Sequence, residues 1–448
     1  MTLSPPRHIA FVLSRLHRQG FQAWCVGGCV RDALLGRAPA DWDIATSALP
    51  QQVLAAFPGC GASLAGAAHG TVTLLLPGGS AEITTFRVDG DYENHRKPRQ
   101  VLFTPSLAQD LARRDFTVNA MAYCPGLGLF DPFSGLADLE NRVLRCVGQP
   151  ALRFDQDALR ILRCLRFAAV LGFTIDPLTR QGARQSRGLL PGLSGQRLQE
   201  ELTRLLPGPW AARVLWEEQE ILFAALPELA PLAGCGQESL YHRYDCWGHS
   251  LCALHHAPPL PVLRWAALLH DCGKPLVKSI DQNGFAHFYN HGQAGAQAAS
   301  RLLRRLGFPS FLLQEITRLV EHHSQPLPIG EKRIRSLFAQ WGPQGLFRLL
   351  DLVQAHTLAL AEEPARRLLP LVLGAKALAR EIGNQADCLS PRDLALNGRD
   401  LLSLGYSPGP QLGAALKRLF ELVLAGKLEN RRPALLQAAR AWQKPAPP

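Results

Sequence analysis

The first third of the chain has mixed hydrophobic periodicity. Residues 1–20 have the spacing of an amphipathic helix, and residues 21–26 (FQAWCV) predict a strand that passes through glycines into a second helix. Alternating apolar residues at 71–76 (TVTLLL) and 81–88 (AEITTFRV), with PGGS between them, predict a hairpin, and 143–147 (VLRCV) predicts a further strand. This part of the chain is therefore expected to combine a sheet with helices.

The rest of the chain has a helical period. The stretch 158–173 (ALRILRCLRFAAVLGF) is one example, and proline and glycine clusters near 207–209, 225–236 and 388–410 mark candidate joints. The sequence thus predicts an α+β head followed by a long helical body.

Composition is that of an ordinary globular protein. Apolar residues make up 47% and charged residues 19% of the 448 residues, which excludes a wholly disordered, collagenous or coiled-coil chain. Lys and Arg outnumber Asp and Glu by 48 to 37, giving a net charge of +11. This surplus fits a polyanionic partner such as nucleic acid, but it fits a generally basic protein equally well.

Targeting signals are not evident. The first residues lack the order of a signal peptide, and no stretch reaches the ~18 apolar residues that cross a bilayer. The eleven cysteines include no Cys-x-x-Cys pair, which argues against disulfides or structural zinc. We therefore expect a cytoplasmic protein with reduced thiols and no membrane partner, of open oligomeric state.

The first group of candidate site residues lies at 26–46. Gly27 and Gly28 fall between the predicted strand and helix, where the backbone can approach a phosphate, and Arg31 can add a cation. On a strand, Asp41 and Asp43 would share one face, and paired carboxylates suit Mg²⁺. Taken singly, these patterns also fit a plain turn and a solvated strand end.

Two further groups follow. In LARRDFTVNAMAY (111–123), Arg114 suits phosphates, and Asp115 and Asn119 suit sugar hydroxyls; a capped helix with a basic turn is the alternative. Asp157 and Arg160 begin a series on one predicted helix face. Its later members, three residues apart, are Arg163 and Arg166. A carboxylate and a guanidinium can recognise a base edge, although an intrahelical ion pair explains them too.

The order of these groups resembles known nucleotidyltransferases. Gly-Gly-x-x-Arg-Asp followed by Asp-x-Asp resembles the signature of the polymerase-β-like superfamily. That resemblance implies a third carboxylate from a neighbouring strand, for which Glu82 is the candidate; otherwise Glu82 is an ordinary exposed strand residue.

The full ordered set is similar to the class II tRNA nucleotidyltransferase and poly(A) polymerase family. It comprises GGxxRD, DxD, HGT, RRDFTxNAMA, FxxDALRILRxLRFAAxLGF and SGQRLQEELTRLL. The resemblance implies a mostly antiparallel head, a two-metal Mg²⁺ site on the Asp pair, and Asp157 with Arg160 as protein template for CTP or ATP. It also implies residues that hold the nucleotide: Gly28, Arg31, Arg114, Arg163 and Arg166. Gln156 stands where the family has a glutamate, and that glutamate is expected to orient the template arginine.

Several products are compatible with this family: a tRNA CCA end, a partial CC or A addition, or a poly(A) tail. The stretch 87–103 resembles the flexible loop of full CCA-adding members. The segment 394–436 resembles the tail of Firmicutes-type enzymes, which contacts the tRNA elbow, and residues 361–448 hold 13 Lys and Arg against 8 Asp and Glu. CCA addition to tRNA is therefore the expected function.

A second set of residues resembles an HD phosphohydrolase motif. His249, His270, Asp271 and Asp351 match its order, and such ligands suit a borderline transition metal. A second metal could bind His291 with His322 or His323. Core histidines and an inactive site are the alternatives, and a phosphohydrolase acting on RNA ends or nucleotides is a rival function. A non-enzymatic RNA-binding protein is a further rival, against which the intact Asp pair argues.

These resemblances imply four domains. We expect a nucleotidyltransferase head at 1–148, a helical neck with the template motif and an RNA-binding region at 149–235, an HD domain at 236–360 and a tRNA-binding tail at 361–448.

Overall fold

The computed structural model divides into two compact units, Met1–Pro227 and Glu228–Pro448. The finer division into four domains stays a prediction. The structure describes residues 3–89, 92–93, 97–98, 101–385, 388 and 391–443.

The first unit contains a sheet and surrounding helices. Its helices are α1 (Arg7–Arg18), α2 (Gly28–Leu34), α3 (Pro50–Ala56), α4 (Leu107–Ala112), α5 (Gly135–Glu140), α6 (Pro150–Gln156), α7 (Leu159–Leu171), α8 (Pro177–Gln185), α9 (Gly195–Leu205), α10 (Ala211–Glu217) and α11 (Gln219–Ala225). Its strands are β1 (Ala23–Val26), β2 (Asp43–Thr46), β3 (Gly61–Ser63), β4 (Thr71–Leu76), β5 (Gly79–Thr85), β6 (Arg87–Asp89), β7 (Tyr92–Glu93), β8 (Lys97–Pro98), β9 (Val101–Phe103), β10 (Ala122–Cys124), β11 (Gly128–Phe130), β12 (Val143–Leu144) and β13 (Thr174–Ile175).

Seven strands form the main sheet in the order β11-β10-β1-β2-β5-β4-β3. Within it, β2 and β5 pair in parallel and the other described pairs are antiparallel, so the expected mostly antiparallel head is confirmed. The alternating buried residues of the hairpin strands, such as Val72, Leu74 and Ile83, place one face of the sheet in the core. The parallel pairing sets Asp43 opposite Glu82.

Most of the expected elements are present with shorter bounds. The helix expected at 1–20 is α1, and the hairpin expected from the two alternating stretches is β4–β5. The strand expected at 143–147 is reduced to β12, which pairs with β13 outside the main sheet. The stretch 87–103, expected to be a flexible loop, lies partly outside the described residues; its described ends, β6 and β9, pair with each other.

The second unit is almost entirely helical. Its helices are α12 (Cys246–His256), α13 (Pro261–Leu269), α14 (Lys274–Val277), α15 (His291–Arg305), α16 (Ser310–His322), α17 (Glu331–Leu358), α18 (Glu362–Gln385), α19 (Gly398–Ser403), α20 (Pro410–Leu424) and α21 (Arg432–Gln443). A short hairpin joins β14 (Ser279–Ile280) to β15 (Ala286–His287), and α17 is interrupted at Gly342. None of the helices in the described ranges is long and apolar enough to cross a bilayer.

Gly273 allows two segments of the second unit to pack closely. A Cβ atom at this position would lie 2.2 Å from the carbonyl oxygen of His291 and 2.3 Å from the backbone nitrogen of Gly295. Both contacts are with backbone, which cannot swing aside as a side chain can. Glycine is therefore required where the turn after Asp271 meets α15.

The substitution Gly273→Ala is expected to lower the free energy of unfolding by about 1–3 kcal/mol, because the added methyl group overpacks this contact. Urea titration of the full chain measures the change. Gly374→Ala is the matched control: it lies in α18, where an added Cβ atom would meet no other described segment within 4 Å, and it should raise stability by about 0.5–1 kcal/mol. Equal responses from the two variants would contradict the proposed close packing.

Candidate nucleotide site and histidine cluster

The turn into α2 brings the backbone close to an arginine. Gly27 has a φ of 78°, and a Cβ atom there would lie 2.7 Å from Nη1 of Arg114. A side chain would therefore clash with Arg114 in addition to straining the backbone. Gly28 begins α2, and Arg31 follows within it.

Three carboxylates meet at the edge of β2 and β5. The strand β2 begins at Asp43, so the expectation that both aspartates lie on the strand is wrong for Asp41, which precedes it. Loss of hydration raises the pKa of Asp43; Arg114 opposes this rise and Asp41 adds to it. The pKa of Glu82 is also raised, mainly by loss of hydration and to a smaller extent by the charges of Asp43 and Asp41. Mutual repulsion of this kind is relieved by a bound cation.

Next to these carboxylates lies a cavity of about 660 Å³. All ten expected nucleotide-binding residues line it, and the lining has a strong excess of guanidinium groups. The lining residues are Gly27, Gly28, Arg31, Asp43, Arg87, Arg113, Arg114, Asp115, Asn119, Asp157, Leu159, Arg160, Arg163, Arg166, Phe167 and Arg197. Asp41 and Glu82 are outside this lining. Arg87, Arg113, Phe167 and Arg197 were not singled out from the sequence, although three of them lie in the motifs quoted above.

Asp115 organises one wall of the cavity. Its Oδ2 accepts a hydrogen bond from Nε of Arg163 at 2.7 Å, and its Oδ1 accepts from the backbone nitrogen of Phe116 and from Nδ2 of Asn119. Asn119 in turn accepts from Nη1 of Arg31 at 2.6 Å. Burial alone raises the pKa of Asp115, but the charge of Arg163 and the hydrogen bonds from Asn119, Arg163 and Phe116 together outweigh it and hold that pKa at about 2. Contact of Asp115 and Asn119 with sugar hydroxyls stays a prediction.

Phe167 forms an apolar surface under three guanidinium groups. The Cζ atoms of Arg166, Arg31 and Arg163 lie 4.3, 5.1 and 5.5 Å from the centre of its ring. Arg166 also pairs with the buried carboxylate of Glu201 at 2.7 Å. Attraction to the ring face adds to the carboxylate that each of the three guanidinium groups pairs with, and so helps these like charges to gather.

The template residues lie at a break between helices. Asp157 has extended backbone angles (φ −145°, ψ 103°) between α6 and α7, so the expectation that it shares a helix face with Arg160 is wrong. Its Oδ1 accepts from the backbone nitrogen of Leu159 at 3.1 Å and from Nη2 of Arg197 at 2.9 Å. Both Asp157 and Arg160 nevertheless line the cavity.

Gln156 makes the contact that the family's glutamate is expected to make. Its Oε1 accepts from Nη1 of Arg160 at 3.1 Å and from Nη1 of Arg153 at 3.0 Å. Arg160 Nη2 also donates to the backbone carbonyl of Arg113 at 2.9 Å. An amide oxygen therefore orients the template guanidinium without a negative charge.

A second cluster of titratable groups lies in the helical unit. Asp271 Oδ2 lies 3.3 Å from Nε2 of His270 and 3.6 Å from Nε2 of His249, while its Oδ1 lies 3.6 Å from Nε2 of His323 and 3.8 Å from Nε2 of His291. Burial alone raises the pKa of Asp271, but His270 and Lys274 hold it well below its usual range. Nζ of Lys274 lies 2.7 Å from the same Oδ2, so Asp271 also forms a buried ion pair.

Burial favours the neutral form of several of the surrounding imidazoles. It lowers the pKa of His249 and of His356 well below 6.5, and it lowers that of His323 to about 3. Neutral imidazoles have a free lone pair, which is the form that binds metals. These residues fit a metal site in donor type and in spacing: the ligand atoms of His249, His270 and His356, and those of His270, Asp271 and His323, lie within 4.8 Å of one another.

The structure corrects one expected ligand of this cluster. Oδ1 of Asp351 accepts from Nζ of Lys376 at 2.6 Å, and Asp351 is outside the cluster. Instead, Nδ1 of His356 lies 3.1 Å from Nε2 of His249 and 3.3 Å from Nε2 of His270. Both residues are on α17, and the motif order gave no sign of which one points inward. Of the two alternatives for a second site, His323 belongs to the cluster, while the ring of His322 packs against Trp341.

Three family models match successive parts of the chain. They are the "Poly A polymerase head domain" at 23–145, the "Probable RNA and SrmB-binding site of polymerase A" at 172–232 and the "HD domain" at 250–369. The CCA-adding enzyme of Levilactobacillus brevis is 35% identical over 430 residues, covering 95% of this chain and 96% of that one. That of Geobacillus stearothermophilus is 33% identical and covers 96% of each.

Solved structures show the same fold. The Bacillus stearothermophilus CCA-adding enzyme in complex with CTP has a TM-score of 0.69 at 29% identity and covers 98% of both chains. The Thermotoga maritima CCA-adding enzyme complexed with tRNA-CCA has a TM-score of 0.55 at 20% identity, covering 98% of this chain and 97% of that one.

The head-domain match and the carboxylates beside an arginine-lined cavity place the chain among the nucleotidyltransferases, which are metal-dependent. Because relatives at 33–35% identity match it over nearly their whole length, the chain belongs to the CCA-adding enzyme family.

The variant Asp43→Asn is expected to raise the free energy of unfolding of the metal-free chain at pH 7 by up to about 1 kcal/mol, a limit set by the solvent exposure of this side chain. A carboxyl group whose pKa is raised on folding lowers stability above that pKa and has no effect once both states are protonated. The gain should therefore vanish toward about pH 3. Urea unfolding at both pH values tests this, and a loss of stability at pH 7 would contradict the repulsion.

Proposed function

We propose that this chain adds or repairs the 3′-terminal CCA of tRNA, using CTP and ATP and no nucleic-acid template. The observation that carries the proposal is the single cavity in which Asp157 and Arg160 lie together with Arg31 and Arg114, next to the carboxylate edge of the sheet. One part of the cavity offers a carboxylate and a guanidinium for a base, and another offers cations for a triphosphate.

Base selection follows from the donors and acceptors of the template pair. Cytosine and adenine each present an exocyclic amino group beside a ring nitrogen that accepts a hydrogen bond. Uracil and guanine present a carbonyl oxygen beside a ring N–H. A carboxylate at Asp157 accepts from the amino group, and Arg160 donates to the ring nitrogen. The pair therefore fits C and A. With U or G, the carboxylate would face a carbonyl oxygen and the guanidinium would face a ring N–H, and both contacts are repulsive.

Transfer depends mainly on alignment and charge. Asp41, Asp43 and Glu82 are the residues that would hold Mg²⁺, and their repulsion fits such a cation. Bound Mg²⁺ would neutralise charge on the nucleotide and on the leaving pyrophosphate. Arg31, Arg114 and their neighbours hold the triphosphate, so that the 3′-hydroxyl of the RNA can attack the α-phosphate in line.

Partners and location follow from the same interpretation. The residues matching the RNA-binding family model, 172–232, and the basic stretch 361–448 are the proposed surfaces for the tRNA backbone, which they would contact without recognising its sequence. We place the enzyme in the cytoplasm: none of the cysteines in the described ranges is in a disulfide, as suits a reducing compartment.

The variants Asp41→Ala and Asp43→Ala should each reduce nucleotide transfer by at least about a thousandfold, because each removes a carboxylate that would hold the Mg²⁺ whose charge compensates the reacting phosphates. The assay supplies tRNAs ending before, within and after CCA, and an oligo(A) primer, with labelled CTP or ATP. Glu362→Ala is the control, because Glu362 is an exposed carboxylate at the start of α18 in the other unit. Failure of the native enzyme to add C to a tRNA lacking CCA would exclude the proposal, and open-ended A addition to any primer would favour a poly(A) polymerase.

A metal-dependent phosphohydrolase at the histidine cluster is a second candidate function. The specific observation in its favour is the grouping of ligand atoms: those of His249, His270 and His356, and those of His270, Asp271 and His323, lie within 4.8 Å of one another. Imidazole and carboxylate ligands suit Mn²⁺, Co²⁺ or Ni²⁺. A bound metal of this kind would supply an activated hydroxide for phosphoester cleavage.

Addition of Mn²⁺ or Ni²⁺ is expected to stabilise the native chain by about 2.7 kcal/mol when the metal is at a hundred times its Kd. His356→Ala should lose most of this gain, whereas Asp351→Asn should keep it, because Asp351 binds Lys376 instead. Thermal unfolding with and without metal measures both. An undiminished gain in His356→Ala, or its loss in Asp351→Asn, would contradict the ligand assignment.

A further inference from the structure

Arg197 holds the carboxylate of the template aspartate. It lies near the start of α9, lines the nucleotide cavity and donates from Nη2 to Oδ1 of Asp157 at 2.9 Å. Both side chains are 20% exposed, so water weakens this pairing less than it would on an open surface. The contact joins two helical segments forty residues apart in sequence.

The backbone around Asp157 cannot fix this side chain as a helix would. Asp157 lies in extended conformation at the junction of α6 and α7. One local contact, from the backbone nitrogen of Leu159, reaches the same Oδ1 atom. With both donors on Oδ1, the carboxylate has a defined rotation, and Oδ2 is the oxygen left to accept from a ligand.

The other nitrogen of the same guanidinium argues against a purely stabilising role. Nη1 of Arg197 is buried and has no acceptor among the described residues. A buried donor without an acceptor costs free energy. The folded protein therefore keeps Arg197 beside Asp157 despite a cost to stability, which is typical of residues kept for function.

We propose that Arg197 is a positioning residue that determines nucleotide specificity by fixing the rotation of the Asp157 carboxylate. The inference rests on the proposed function, in which Asp157 accepts from the amino group of C or A. A fixed carboxylate cannot turn away from the carbonyl oxygen of U or G, so the repulsion between them is retained. A carboxylate free to rotate relieves that repulsion, and the wrong base is then accepted more readily.

The test compares Arg197→Gln with Arg204→Gln. Arg204 is an exposed arginine on the same helix and is outside the cavity lining, so this control makes the same change of charge. The measured quantity is the ratio of kcat/KM for CTP to that for UTP on a tRNA lacking CCA. We expect Arg197→Gln to lower this ratio about tenfold or more, the discrimination typical of one well-placed polar contact, and Arg204→Gln to leave it near the native value.

A double-mutant cycle tests whether Arg197 acts through Asp157. In an Asp157→Asn background, Arg197→Gln should change the ratio little, because the carboxylate it positions is already gone. Arg197→Lys retains a cation and should restore part of the selectivity, and it serves as the test variant if Arg197→Gln does not fold.

Three results would overturn the inference: native selectivity in Arg197→Gln, an equal loss for every nucleotide, or an unchanged effect in the Asp157→Asn background. If the native enzyme adds no C at all, the proposed function fails first. If the native enzyme adds C and selectivity survives in Arg197→Gln, only the role of Arg197 is excluded.

Discussion

Positive charge held at close range is the constraint on which the nucleotide site depends. Guanidinium groups repel one another, and the cavity brings several of them together. Asp115 offsets Arg163, Glu201 offsets Arg166, and the ring of Phe167 lies under both arginines. Such preorganisation means that a binding triphosphate meets donors that are already oriented, and little reorganisation remains for the reaction step.

The fold was largely predictable because its elements follow from local patterns. Alternation predicted the β4–β5 hairpin, and helical periodicity predicted α1 and α7. Pairings between distant segments were harder to predict from the sequence. Nothing local to β12 indicates that it leaves the main sheet to pair with β13, and nothing local to β2 indicates a parallel partner. Both depend on long-range packing, which periodicity does not encode.

The candidate site likewise has a part that the sequence motifs predict and a part that depends on the three-dimensional structure. Most residues that fall inside a motif also line the cavity, whereas errors arise where backbone conformation decides. Asp157 lies outside the helix that its spacing predicts. Of the two residues on α17, His356 lies beside His249, whereas Asp351 binds Lys376. Gln156 shows the converse: its contact with Arg160 follows from the acceptor oxygen that glutamine shares with glutamate.

The parallel pairing of β2 with β5 has a consequence for the metal-binding edge of the sheet. Asp43 and Glu82 are aligned across a backbone ladder whose strands are about 4.8 Å apart. The main chain thus fixes where the two side chains begin, and their rotamers set the distance between the carboxylate oxygens. Selection of one divalent ion over another therefore depends on the strand pairing as well as on the ligand residues.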